Sequence, residues 1–278
     1  MPAALPALPP PFRGTLVVFG GGDDNPMLAL LAGLLPRPDA RIEVLTTATR
    51  ELPERTAAAY ARAWHHLGCE QVGHLVVDES HPADLPATLA RLEAATLLFL
   101  SGGDQERLTE FLLGTEFLAV LRRRLQQDRT FIIAGTSAGA SALGGPMLVE
   151  GRGWRSLLGA GIEVLPGLGL LPDVIIDQHF AERNRYPRLL HAVLRHPACL
   201  GLGLSEETGL LIRPGQPAEV FGDGVVVAVD ARELTHTTAG TVERRQPVSG
   251  HGLRLHLLTA GQQLDLGGRA TGPAAAPA

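Results

Sequence analysis

Five short apolar runs separated by segments of helical length limit this chain more than any other feature. They are TLVVF (15–19), RIEVLTT (41–47), VGHLVV (72–77), ATLLFLSGG (95–103) and TFIIAGTSAG (130–139). Runs this short and this apolar suit strands covered on both faces, which is the situation of a parallel sheet. The segments between them read as helices. One starts at Asn25-Pro26, with proline in its favoured first turn, and runs to about Leu35. A second covers 53–68 and stops at Gly68, and two more cover 104–113 and 115–127. Strand–helix alternation predicts an α/β fold, a mostly parallel sheet with helices on both faces. After residue 160 further strands are expected in DVIIDQHF (173–180), CLGLGLSEETGLLI (199–212), GVVVAVDA (224–231) and LRLHLLTAGQQLDL (253–266), with a helix in PRLLHAVLRH (187–196). No linker-like composition and no internal repeat divides the chain. A single α/β domain over 13–267 is expected, flanked by disordered Pro- and Ala-rich tails at 1–12 and 268–278.

Composition removes several function classes. With 278 residues, 45% of them hydrophobic, the chain can bury a core without disulfides or metal. Its formal net charge of −5 argues against nucleic acid or a membrane surface as partner. No lysine occurs, so Schiff-base chemistry and a phosphate-loop lysine are excluded. Cys69 and Cys199 lie far apart and in no metal-ligand spacing. Neither a signal peptide nor a run of roughly 20 apolar residues is present, so a cytoplasmic location is expected.

Four of the early strands close on polar or glycine-rich turns, and in an open parallel sheet those carboxyl ends line one crevice. Gly135-Thr136-Ser137-Ala138-Gly139 has the small residues of a nucleophile elbow, where a strained strand-to-helix turn presents a serine hydroxyl. The amide after the serine, on Ala138, and the unhindered amides at Gly102-Gly103 could hold an oxyanion. A serine needs a base, and the base needs an orienting acid. Of ten histidines, His179 stands out, because it follows a strand directly, with Asp177 and Gln178 before it and Arg183, Arg185 and Arg188 after it. Arginine binds carboxylates bidentately, so the three point to an acidic substrate. Glu206 and Glu207, in a polar turn between apolar strands, are both candidates for the orienting acid. The order Ser, His, Glu differs from the Ser, acid, His order of α/β-hydrolases and argues against an esterase.

In sequence order, FGGGDD, TTATR, LSGGDQERL, AGTSAGA, PGLGLLPDVIIDQHFAERNRYPRLL, GLGLSEETGLLI and LTHTT…LRLHLL…LDL resemble the successive blocks of the cyanophycinases, over about residues 14–266. That family lies in the aspartyl dipeptidase (peptidase E) superfamily, similar in fold to class I glutamine amidotransferase domains. The block running from Asp177 through Arg188 is the most specific part. The resemblance implies Ser137 as nucleophile, His179 as general base and Glu206, not Glu207, as the third triad member. It implies the Gly103 and Ala138 amides as oxyanion hole, and Gln105, Asp177, Gln178, Arg183, Arg185 and Arg188 as substrate contacts. Asp177 would take a substrate guanidinium and the arginines its carboxylates.

The activity implied is exopeptidase release of β-Asp-Arg dipeptides from cyanophycin, a poly-aspartate chain carrying arginine. The resemblance implies a homodimer and neither metal nor organic cofactor. Two other readings stay open: a dipeptidase of the same superfamily acting on small aspartyl or β-aspartyl peptides, and a non-catalytic amidotransferase-like domain that binds an acidic ligand.

Overall fold

The structure, a computed structural model, describes residues 12–37, 39–267 and 271–273. The first half of the chain builds β1 (Thr15–Phe19), α1 (Asn25–Leu34), β2 (Ile42–Leu45), α2 (Pro53–His66), β3 (Val72–Leu75), α3 (Pro86–Ala94), β4 (Leu97–Leu100), α4 (Gln105–Leu112), α5 (Glu116–Gln127) and β5 (Ile132–Thr136). The five strands pair in parallel in the order β1-β5-β4-β2-β3. Alternate side chains show why the runs are apolar throughout. Val17, Phe19, Leu97 and Phe99 pack with Met27 and Leu31 of α1 and Trp64 of α2. Their neighbours Leu16, Val18, Leu98 and Leu100 pack with Leu112, Phe117 and Leu121 on the opposite face. The inner strands are therefore covered on both faces, and the one charged residue among them, Glu43 of β2, is buried against Arg91.

The second half adds α6 (Ala138–Ala142), β6 (Pro146–Glu150), a 3-10 turn at Gly153–Leu157, β7 (Glu163–Pro166), β8 (Val174–Asp177), α7 (Tyr186–Arg195), β9 (Leu200–Leu204), β10 (Thr208–Ile212), β11 (Ala218–Gly222), β12 (Val226–Asp230), β13 (His236–Thr237), β14 (Gly250–His251), β15 (Arg254–Leu258), β16 (Gln262–Leu264) and β17 (Thr271–Pro273). Strands β10, β11, β16 and β17 extend the sheet antiparallel beyond β1, giving nine strands among the described residues. A separate sheet runs β15-β12-β9-β8, with β8 and β9 parallel, while β6 pairs with β7 and β13 with β14 as two-stranded ribbons.

The two strands expected around Glu206 are present, but they lie in different sheets. β9 belongs to the small sheet and β10 to the large one, so the three residues between them carry the chain from one sheet to the other. Part of the C-terminal stretch expected to be a disordered tail, Thr271–Pro273, pairs with β16 as an edge strand. At the other end, Phe12 packs on the core. The remainder of the expected tails, 1–11, 268–270 and 274–278, lies outside the described residues.

What fixes the small sheet against the large one also positions the site. Phe180 is fully buried, and its ring lies so close to Gly203 of β9 that a Cβ there would sit 2.5 Å from it. Burying a phenylalanine contributes about 1.5–3 kcal/mol. The Phe180 N–H donates to the Leu204 carbonyl at 3.0 Å, and the His179 N–H donates to the Gly20 carbonyl, also at 3.0 Å. One dipeptide thus ties β9 of the small sheet to the loop after β1 of the large one.

Candidate active site

The carboxyl ends of β1, β4 and β5 are level, since Phe19 pairs with Thr136 and Leu100 with Gly135. Their loops meet at Ser137. That serine has φ 52° and ψ −115°, a conformation costly for a residue with a Cβ, and it is held by its N–H donating to the Phe19 carbonyl at 3.0 Å. Small neighbours are a steric requirement. A Cβ on Gly139 would come within 2.4 Å of the Leu100 carbonyl oxygen. The turn therefore throws the Ser137 side chain off the end of the sheet.

Three side chains from three loops form a line there. Ser137 Oγ is 2.9 Å from His179 Nε2, and His179 Nδ1 is 2.6 Å from Glu206 Oε1. His179 itself has φ 46°, and its ring lies over Gly21, where a Cβ would be 2.5 Å from Cε1. Gly21 is thus the only residue type that leaves room for the imidazole. Burial lowers the His179 pKa below the ordinary imidazole value. The Glu206 hydrogen bond opposes this, and the Arg183 and Arg185 cations add to it. A neutral imidazole with its Nδ1 proton on a carboxylate leaves Nε2 free to accept from the serine. Glu207 turns away into the left-handed region at φ 54°, its N–H donating to the Gly21 carbonyl at 2.8 Å.

The Gly102-Gly103 loop packs against the serine, a Cβ on Gly102 falling 3.2 Å from Ser137 Cβ. Ala138 opens α6, so its N–H has no carbonyl one turn earlier to donate to. Asp104 caps α4 by accepting from the Glu106 N–H at 3.0 Å, and Gln105 Nε2 donates to the Leu148 carbonyl at 3.2 Å.

The charged residues around His179 divide into two layers. Asp177 is 1% exposed and receives Arg188 on both oxygens and Arg185 Nη1 at 3.2 Å, so it has no face left for a ligand guanidinium. Arg188 is 5% exposed and equally committed. Both residues, expected to meet the substrate, are paired with each other here. Burial lowers the Arg185 pKa to about 10 against the pull of Asp177, with Arg188 and Arg183 lowering it further. Arg183 is exposed and has no carboxylate partner among the described residues. Gln178 is buried, and its Oε1 has no hydrogen-bond partner among the described residues.

The profile of Peptidase family S51 matches residues 16–220. The chain belongs to peptidase family S51. It is 35% identical over 266 residues to a cyanophycinase of Trichormus variabilis, covering 94% of this chain and 89% of that one. It is 35% identical over 258 residues to a cyanophycinase of Synechococcus elongatus, covering 91% and 80%. Among solved structures, a peptidase from an acI-B1 actinobacterium superposes with a TM-score of 0.66 at 22% identity over 91% of this chain and 97% of that one, a likeness of fold. This S51 chain is a serine peptidase.

Sequence reasoning missed a network beside the candidate site. Asp24, directly before α1, accepts from Thr136 Oγ1 at 2.6 Å and from the Tyr60 hydroxyl at 2.6 Å. Burial raises the Asp24 pKa, and the two hydroxyls oppose the rise. The network ties the residue before Ser137 to α1 and α2. Its only sequence signal was the second aspartate of FGGGDD; Tyr60 lay hidden on a helix face. Cys69 is buried and its pKa raised by that burial, which keeps it a thiol. Among the described residues no His, Cys, Asp and Glu group has the makings of a metal site, and no helix is long and apolar enough to cross a membrane.

Proposed function

We propose that this serine peptidase hydrolyses cyanophycin from a chain end, releasing β-Asp-Arg dipeptides through an acyl-enzyme. The observation that carries the catalytic part is the hydrogen-bonded line Ser137–His179–Glu206, at 2.9 and 2.6 Å. In this reading His179 Nε2 takes the proton of Ser137 Oγ as the oxygen attacks a backbone carbonyl. Glu206 holds the Nδ1 proton and stabilises the imidazolium. The Gly103 and Ala138 amides receive the oxyanion. His179 then protonates the departing amine, and a water attacks the acyl carbonyl with His179 again as base.

The substrate part rests on the relatives named cyanophycinases and on the cations beside the line. Arg183 faces outward and suits a substrate carboxylate, and Arg185 stands behind it, fixed by Asp177 and the Gln178 carbonyl. Asp177 and Arg188 act by positioning, and Gln105 keeps the oxyanion loop against β6. A cytoplasmic homodimer belongs to the same proposal. Incubation with purified cyanophycin and mass analysis of the products tests it: β-Asp-Arg as the released species is expected, and intact polymer beside rapid cleavage of small β-aspartyl peptides overturns it.

A further inference from the structure

Residues 150–161 carry no motif, yet they form one wall of a cavity of about 830 Å³. The loop after His179 forms another wall, and Arg244 closes it from the segment before β14. Six arginines line the cavity, Arg152, Arg155, Arg183, Arg185, Arg188 and Arg244, against one carboxylate, Glu150. Arg185 and Arg188 are held by Asp177. The other four have no ion-pair partner among the described residues. Neither Ser137 nor His179 is part of the lining.

Cations gathered in one concavity repel one another, so the arrangement favours an anion in their midst. Guanidinium forks select planar oxyanions such as carboxylates. A second feature borders the same space. Ser156 lines the cavity, is 1% exposed, and its Oγ has no hydrogen-bond partner among the described residues. Its backbone carbonyl is held by His191 Nδ1 at 2.7 Å, so the 3-10 turn is anchored to α7. The cavity is also joined to the candidate active site by covalent chain. The Arg183 N–H donates to the His179 carbonyl at 3.1 Å. Leu148, whose carbonyl receives Gln105, is followed directly by the lining residues Val149 and Glu150.

We propose that this cavity is a second subsite that binds carboxylates along an extended peptide chain while the end of that chain is held at Ser137. This rests on the reading of the substrate as a polymer. Each repeat of an aspartate–arginine chain brings a free carboxylate and a guanidinium, which fits a wall of arginines interrupted by Glu150. The subsite therefore distinguishes long chains from short ones.

The double variant Arg152→Gln/Arg244→Gln tests it in two arms. In a Ser137→Ala background, fluorescently labelled poly-L-aspartate is titrated and read by anisotropy. About tenfold weaker binding than the Ser137→Ala parent is expected, and more at low salt. With Ser137 intact, KM for long cyanophycin should rise about tenfold while kcat, and the kinetics on a two-repeat peptide, stay unchanged. Unaltered poly-aspartate binding overturns the subsite, as does an equal loss on long and short substrates. Displacement of poly-aspartate by inorganic phosphate at equal anion concentration also overturns it, by giving the cavity to phosphate. If the parent enzyme leaves cyanophycin intact, the proposed activity fails, and the poly-aspartate arm alone still decides the subsite.

Discussion

Asp177 and His179 leave the end of β8 two residues apart and enter two regions built on opposite terms. In the first, Asp177 is fully shielded and meets Arg185 and Arg188, whose side chains are 13% and 6% exposed. In the second, His179 is 12% exposed but its carboxylate partner Glu206 is 37% exposed. A charge buried with its partners is a fixture, because removing either member leaves the other stranded in a poor solvent. A carboxylate still in touch with water can face a group whose charge changes during a reaction, since its own desolvation has not already been spent on a fixed cation. Carboxylates near a histidine are therefore sorted by burial and partner, not by proximity in sequence. The same rule separates Arg188, locked beneath the surface, from Arg183 at it.

That contrast can be broken in four places. Ser137→Ala lies in the reactive region and should cost on the order of 10⁶-fold in kcat with the melting temperature unchanged, as thermal unfolding and single-turnover kinetics would show. A tenth of the parental rate from a folded variant removes the serine from the chemistry. Glu206→Gln keeps the shape and loses the charge, which should cost about 10⁴-fold. It also removes what holds the His179 pKa up, so the acid limb of kcat/KM, already below the ordinary imidazole value, should move to still lower pH. A limb that stays in place means Glu206 does not face the titrating base.

In the buried region the expected signature is inverted. Asp177→Asn should lower stability by about 3–5 kcal/mol in denaturant titrations, because two arginines lose their shared counter-charge. Unaltered stability with a raised KM would return Asp177 to direct substrate contact. The smallest effect belongs to Glu207→Gln, which should change kcat by less than about tenfold. If Glu207→Gln proves more damaging than Glu206→Gln, the two glutamates have exchanged roles.

Much of this was legible in one dimension. The parallel half of the large sheet followed from apolar runs with no polar face, and the elbow from small residues packed around one serine. Position after a strand singled out His179. What stayed hidden depends on distant chain segments meeting. The Asp24–Thr136–Tyr60 network joins residues from three elements, and nothing in the spacing of 24, 60 and 136 announces it. The sheets entered by β9 and β10 were likewise undecided, since two apolar strands around a short polar turn carry no sign of which sheet each joins until long-range pairing places them.

By itself the sequence determined the α/β alternation, the strained serine turn and the residue types able to transfer a proton, because each rests on local sterics or on the periodicity of neighbouring side chains. Only the tertiary structure decided which carboxylate serves which cation. It buried Asp177 under two arginines, brought Glu206 to His179 by switching sheets, and gathered Arg152, Arg183 and Arg244 around one cavity. Burial and long-range contact set those pairings, and neither is a property of a stretch of chain taken alone.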